Sequence, residues 1–144
     1  MNITLNRRQR QTLLLSLLVI NVVATFLHYA DNFFFFDRYP APTSMHPDHV
    51  YIAWLILTPF AVAGYIQYVR QKFWLAYVFL ALYSLTSLGG VAHYFFGFVS
   101  MFSLKMHALI WFEELAGYSL VGFMVWSGFI LKEWRREIQI DGDA

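Results

Sequence analysis

Four stretches without a single Asp, Glu, Lys or Arg, residues 11–30, 50–69, 73–104 and 115–131, constrain this chain more than any other feature. A helix needs about 20 residues, rising about 1.5 Å each, to cross the roughly 30 Å apolar layer of a bilayer. The predicted fold is therefore all-α: an integral membrane four-helix up-down bundle, one domain over 1–144, with spans at about 11–32, 50–69, 73–97 and 104–131. The last span differs from the others in carrying Glu113 and Glu114 near its start.

The basic residues fix an orientation. In a four-helix layout Arg7, Arg8, Arg10, Arg70, Lys72, Lys132, Arg135 and Arg136 fall on one side, and Arg38 and Lys105 on the other. The positive-inside rule then places both termini and the 70–72 turn in the cytoplasm. The basic start followed by a leucine-rich run imitates a secretory signal, but Leu27-His28-Tyr29-Ala30 offers only one small residue before a scissile bond, so the first segment reads as an uncleaved helix.

Breakers mark the joints. The run Phe33-Phe34-Phe35-Phe36 leads into Asp37, Arg38, Tyr39, Pro40 and Pro42, which predicts an interfacial turn. Thr58-Pro59 predicts a kink or an opening in the packing of the second helix. Arg70-Gln71-Lys72 leaves so short a turn that the second and third helices must be antiparallel neighbours. Gly97 offers the third helix an end, with 98–104 as an interfacial connection, and Gly89-Gly90 permits close backbone approach.

Polar residues inside the spans carry the functional signal. Asn21, Thr25, His28 and Asn32 follow the i, i+4, i+7, i+11 rule of one helix face, and such a stripe in a membrane should face protein. The same rule puts His107, Trp111, Glu114 and Tyr118 on one face of the fourth helix, with Trp111 as a possible pocket wall and Glu113 pointing away toward a neighbouring helix or a wet cleft. All five histidines, His28, His46, His49, His93 and His107, fall on the outer side, as do Asp31, Asp37 and Asp48. An ionised residue within a span costs roughly 2.5 to 3.5 kcal/mol, so the adjacent glutamates require protonation, a partner or water.

Imidazole with carboxylate is the ligand set of zinc or another divalent first-row metal, and the absence of cysteine leaves no thiolate alternative. His28, His93, His107 and Glu114 are the candidate metal ligands. Glu114, His28 and Asp31 are the candidate acid-base groups, His28 being oriented by a carboxylate one turn away or on a neighbouring helix. The His46-x2-His49 pair can also meet a metal, although an exposed loop carries histidines at little cost. In the competing structural reading, the glutamates bond histidines across helices and only fix the bundle's register. Placing His, Asp and Glu near one membrane face loosely resembles intramembrane lipid hydrolases that hold zinc with histidines and an aspartate, an analogy of arrangement and not of motif spacing.

Three functions follow as expectations. One is a metal-dependent or acid-base enzyme acting on a lipid-like substrate within the bilayer. Another is a haem- or quinone-binding redox protein in which two of His28, His93 and His107 ligate iron. The third is a non-catalytic transport or assembly subunit. No phosphate-binding glycine loop, nucleophile elbow or basic nucleic-acid patch occurs, so no nucleic-acid partner is expected.

Overall fold

In a computed structural model the described residues are 5–135, and helix dominates them. Arg136 and the tail over 138–144, assigned above to the cytoplasmic side, lie outside the described residues. The helices are α1 (Arg7–Phe34), α2 (Pro47–Val69), α3 (Phe73–Ser87) and α4 (Leu104–Val125).

Helix α1 starts at a reciprocal cap: Asn6 Oδ1 accepts from the Gln9 N–H at 3.0 Å, and Gln9 Oε1 accepts from the Asn6 N–H at 2.8 Å. These bonds satisfy donors that the first helical turn leaves free. Its buried face, Arg10, Leu14, Leu18, Asn21, Thr25, His28 and Asn32, advances by steps of three or four. That is the seam spacing of helices packed at a shallow angle. The matching seam of α4 is Met106, Ile110, Glu113, Gly117 and Leu120.

Contacts along the bundle fix its topology. Arg10 pairs with Glu133 at one end and His28 with Glu113 at the other, so α1 and α4 run antiparallel. Trp54 Nε1 donates to Thr25 Oγ1 at 3.1 Å while an Arg7 N–H donates to the Val69 carbonyl at 2.8 Å, which makes α2 antiparallel to α1. The turn into α3 is tight: Gln71 takes a left-handed φ of 64°, and the Lys72 N–H returns to the Gln67 carbonyl at 2.9 Å. Helix α3 meets α4 closely because of Gly117, where a β-carbon would lie 2.8 Å from Ser87 Oγ. Each helix thus packs against two neighbours around a ring, with direction alternating.

Three boundaries differ from expectation. The aromatic run begins inside α1, which continues through Phe34 before a 3-10 turn at Phe36–Arg38. Helix α3 stops at Ser87 instead of reaching Gly97 and is extended by a 3-10 segment, Gly90–Phe95. The physical reason is local: Gly89-Gly90 is a poor helix former, and the Val91 N–H, which a continuing α-helix would give to Ser87, goes to Glu114 Oε1 at 2.9 Å. Helix α4 widens into a π turn at Trp126–Ile130, after which Lys132, at φ 52°, directs Glu133 back into the bundle. Helix α2 runs on through Pro59, and the Thr58 hydroxyl donates to the Trp54 carbonyl at 2.7 Å.

Four helices among the described residues are long and apolar enough to cross a membrane: Arg7–Phe34, Pro47–Val69, Phe73–Phe95 and Leu104–Ile130.

Candidate functional site

The end of the α1–α4 seam that carries His28 and Glu113 holds the candidate site. The seam spacing that buries leucine lower down buries Asn21, Thr25, His28 and Asn32 here, and brings Glu113 and Glu114 in from α4. Asn21 and Thr25 are packing positions: Asn21 Nδ2 donates to Ser87 Oγ at 3.4 Å, and Thr25 accepts from Trp54. His28 is 2 % exposed and both glutamates are fully buried.

His28 Nδ1 hydrogen-bonds Glu113 Oε2. The face assigned from sequence to His107, Trp111, Glu114 and Tyr118 is therefore corrected: Trp111 and Tyr118 are about half exposed, and the buried face centres on Glu113. The reason is phase, since Met106, Ile110, Glu113, Gly117 and Leu120 advance by the 3.5-residue average of a packed seam. Glu114 sits at the edge of that seam, where its Oε1 anchors the Val91 N–H. Gly90 packs against this group, so that a β-carbon there would lie 3.2 Å from Glu113 Oε2, 3.3 Å from His28 Cε1 and 3.5 Å from Glu114 Oε1. A larger residue at this point of the 3-10 segment would need Glu113 and His28 to give by a few tenths of an ångström.

A chain of bonds fixes His93 and Asn32. His93 Nδ1 lies 2.9 Å from the Pro40 carbonyl, which can only accept, so Nδ1 carries the hydrogen. His93 Nε2 is then a lone-pair acceptor, 3.0 Å from Asn32 Nδ2, which donates to it. Asn32 Oδ1 is left buried without a partner, and so are His28 Nε2 and Glu113 Oε1. The rings of His28, Tyr39 and His93 pack together, their centroids 5.1 to 5.8 Å apart.

Those unpartnered atoms belong to side chains that line one cavity of about 350 Å³, enclosed by α1, the start of α2, the 41–49 segment and the 3-10 segment after α3. Its remaining wall is mostly apolar, with Ala41, Pro42, Val50, Ala53 and Ala92 among the lining residues. Met45, His49 and Phe96, which also line it, are exposed and form its mouth.

Other expected members are engaged elsewhere. Both Asp31 oxygens are taken, Oδ2 by the Tyr39 hydroxyl at 2.7 Å and Oδ1 by Lys105 Nζ at 2.6 Å. Burial first, and then the bond to Asp31, raise the Tyr39 phenol above its ordinary pKa, so it remains a donor at neutral pH. His107 Nδ1 hydrogen-bonds the Tyr94 hydroxyl at 2.7 Å and its ring stacks on Tyr94, away from the His28 group. His46 and His49 serve the start of α2, where the His46 N–H donates to His49 Nδ1 at 3.3 Å.

The expected metal ligands thus divide. Of His28, His93, His107 and Glu114, the structure brings His28 and Glu114 to one group beside Glu113, holds both nitrogens of His93 in hydrogen bonds, and places His107 with Tyr94. Among the described residues, no group of three or more His, Asp or Glu side chains is arranged to hold a metal ion. Glu113, expected to point toward a neighbouring helix or a wet cleft, does meet α1 at His28, although the candidate site residues read from sequence include Glu114 in its place; the Met106, Ile110, Gly117, Leu120 spacing around it was the signal that could have singled it out. No family model, curated protein or solved structure matches the chain.

Proposed function

We propose that the chain is an integral membrane protein, with both termini cytoplasmic, that binds a lipid-like molecule in the outer-leaflet cavity and exchanges a proton with its polar group through His28 and Glu113. Membrane insertion is supported by the helices' outward faces. Only 17 to 39 % of each helix's most apolar 18-residue window is buried within the chain, leaving side chains such as Ile56, Val62, Leu85 and Leu115 about 60 % exposed. So much contiguous apolar surface suits lipid and not water.

The observation that carries the function is the set of buried, unpartnered polar atoms, His28 Nε2, Glu113 Oε1 and Asn32 Oδ1, on side chains lining an otherwise apolar cavity. Buried polar atoms left without partners are rare and mark either missing water or a ligand position. Few polar groups in a largely apolar pocket of this size is the usual pattern of a small-molecule site.

The chemistry follows from the His28–Glu113 bond. With Glu113 ionised, His28 Nδ1–H donates to it, which leaves an unpartnered lone pair on Nε2 of this cavity-lining side chain. Nε2 can take a proton from a bound hydroxyl or ammonium, and Glu113 stabilises the imidazolium that results; the reverse transfer returns the proton. Asn32 Oδ1 is placed to orient the same polar group.

A metal version has less support because the expected donors do not converge. A haem version needs a second histidine opposite His28, and His93 has both of its nitrogens in hydrogen bonds while His107 lies against Tyr94. The test is native mass spectrometry of the purified protein released from lipid nanodiscs. The wild type should carry a lipid-like mass that His28→Ala and Glu113→Ala lose while keeping their helical circular dichroism. A ligand-free wild type that also fails to take up added long-chain amines or alcohols sinks the proposal.

A further inference from the structure

The unoccupied hydrogen-bonding capacity of the cavity has a sign. Asn32 Oδ1 is an acceptor by the chain of bonds from the Pro40 carbonyl through His93, and an ionised Glu113 leaves its Oε1 as another. His28 Nε2 is a third when its Nδ1–H is given to Glu113. A side of the cavity that offers acceptors alone calls for a ligand that supplies donors.

Charge points the same way. Glu113 and Glu114 are both fully buried at this end. The two permanent cations of the outer end are committed elsewhere: Lys105 is bound to Asp31, and Arg38 lies over the Phe35 ring, 5.1 Å from its centroid. Other than a second proton on His28, nothing among the described residues offsets a buried carboxylate at this pair, and an isolated buried charge is costly. The mirror case occurs within the same molecule, where the buried Glu133 has Arg10 as its cation.

Resting on the proposed lipid-like ligand, we propose further that its polar group is a primary ammonium, so that the site selects long-chain amines. The three N–H donors of an ammonium match the three acceptors, and its charge neutralises Glu113 without a second proton on His28. A hydroxyl supplies one donor and no charge, a quaternary ammonium supplies charge and no donor, and a carboxylate is repelled. Alkyl chains of the same length attached to each of these heads differ only in the property under test.

The experiment measures binding of dodecylamine, dodecanol, dodecyltrimethylammonium and dodecanoate to the full chain in nanodiscs at neutral pH, by native mass spectrometry corrected against empty nanodiscs. The amine should bind about tenfold or more tighter than the alcohol or the quaternary ammonium, with the carboxylate weakest. Glu113→Gln, which keeps size and hydrogen-bonding capacity, should abolish the preference for amine over alcohol. Asn32→Ala, farther from the charge, should reduce amine binding severalfold and so provides a second reading if Glu113→Gln folds poorly. Alcohol or quaternary ammonium bound as tightly as the amine overturns the ammonium assignment and leaves the lipid-like site standing. A preference for the amine that survives in Glu113→Gln also overturns it. Binding of none of the four overturns both proposals.

Discussion

The bundle buries a glutamate network at each end, and the two are built to opposite rules. At the end where α1 begins, Glu133 is 2 % exposed, its Oε1 lies 2.9 Å from Arg10 Nε, and its Oε2 accepts from the Tyr68 hydroxyl at 2.7 Å and from Ser127. Tyr77 closes the network by bonding Ser127 Oγ at 2.8 Å. Charge is offset and both carboxylate oxygens are occupied. At the other end, Glu113 has a histidine for its partner and an oxygen to spare. Burial alone therefore says nothing about role. The Glu133 network is offset by an ion pair with Arg10, although Arg10 Nε makes no hydrogen bond there, whereas the open Glu113 network lies beside a cavity with no permanent cation among its described lining residues and keeps carboxylate and imidazole atoms unpartnered.

Removing one partner of each pair should sharpen the contrast. Glu133→Ala leaves Arg10 buried without its counter-ion and should cost about 3 to 5 kcal/mol, read as a lowered denaturation midpoint in detergent, with ligand binding in the surviving folded fraction unchanged. Glu113→Gln removes a charge that the protein does not fully offset, so stability should hold within about 1 kcal/mol or rise, while ligand affinity falls. Its expected loss is about tenfold or more. If Glu113→Gln destabilises as much as Glu133→Ala and leaves ligand uptake intact, both networks are structural and the contrast disappears.

The two networks also differ in how far sequence announces them. Uncharged stretches and short joints make the four helices legible, because a helix long and apolar enough to cross a bilayer shows in sequence as about 20 residues without a charge. The Asn21, Thr25, His28, Asn32 stripe is legible for the same reason, being polar where lipid would reject it, and all four residues are buried. Which glutamate faces His28 is not legible from the straight-helix rule, because Glu113 and Glu114 are adjacent and the answer depends on the phase of the seam with α1. The fate of Asp31 and His107 depends on Tyr39, Lys105 and Tyr94, partners supplied by loops and by a 3-10 segment whose course no periodicity encodes. The Arg10–Glu133 lock joins residues at opposite ends of the sequence through a π turn, and neither residue stands out from its neighbouring charges in the sequence.

Gly90 tests whether the open network depends on close backbone approach. In Gly90→Ala the new β-carbon would lie 3.2 Å from Glu113 Oε2 and 3.3 Å from His28 Cε1, so one or both must give by a few tenths of an ångström. Overpacking of this kind costs about 1 to 3 kcal/mol, and here it should appear as weaker ligand binding together with a modest loss of stability. Gly122→Ala is the control, since a β-carbon there meets nothing within 4 Å. Equal effects of the two substitutions on ligand binding would mean that the 3-10 backbone does not define the site.

The smallest effect belongs to the strap between Asp31 and Lys105, which lies beside the open network without entering it. The Lys105 side chain is 54 % exposed, and exposed ion pairs contribute about 0 to 1 kcal/mol. Lys105→Ala should therefore shift the unfolding midpoint little, less than Tyr39→Phe, which removes the buried donor to Asp31 and should cost about 0.5 to 1.5 kcal/mol. Neither change touches His28 Nε2, Glu113 or Asn32 directly, so selectivity among ligand head groups should be preserved in both. A loss of head-group selectivity in Lys105→Ala, measured by the same binding series, would show that the cation on the strap helps set the charge of the cavity, and the boundary drawn between strap and site would have to move outward to include it.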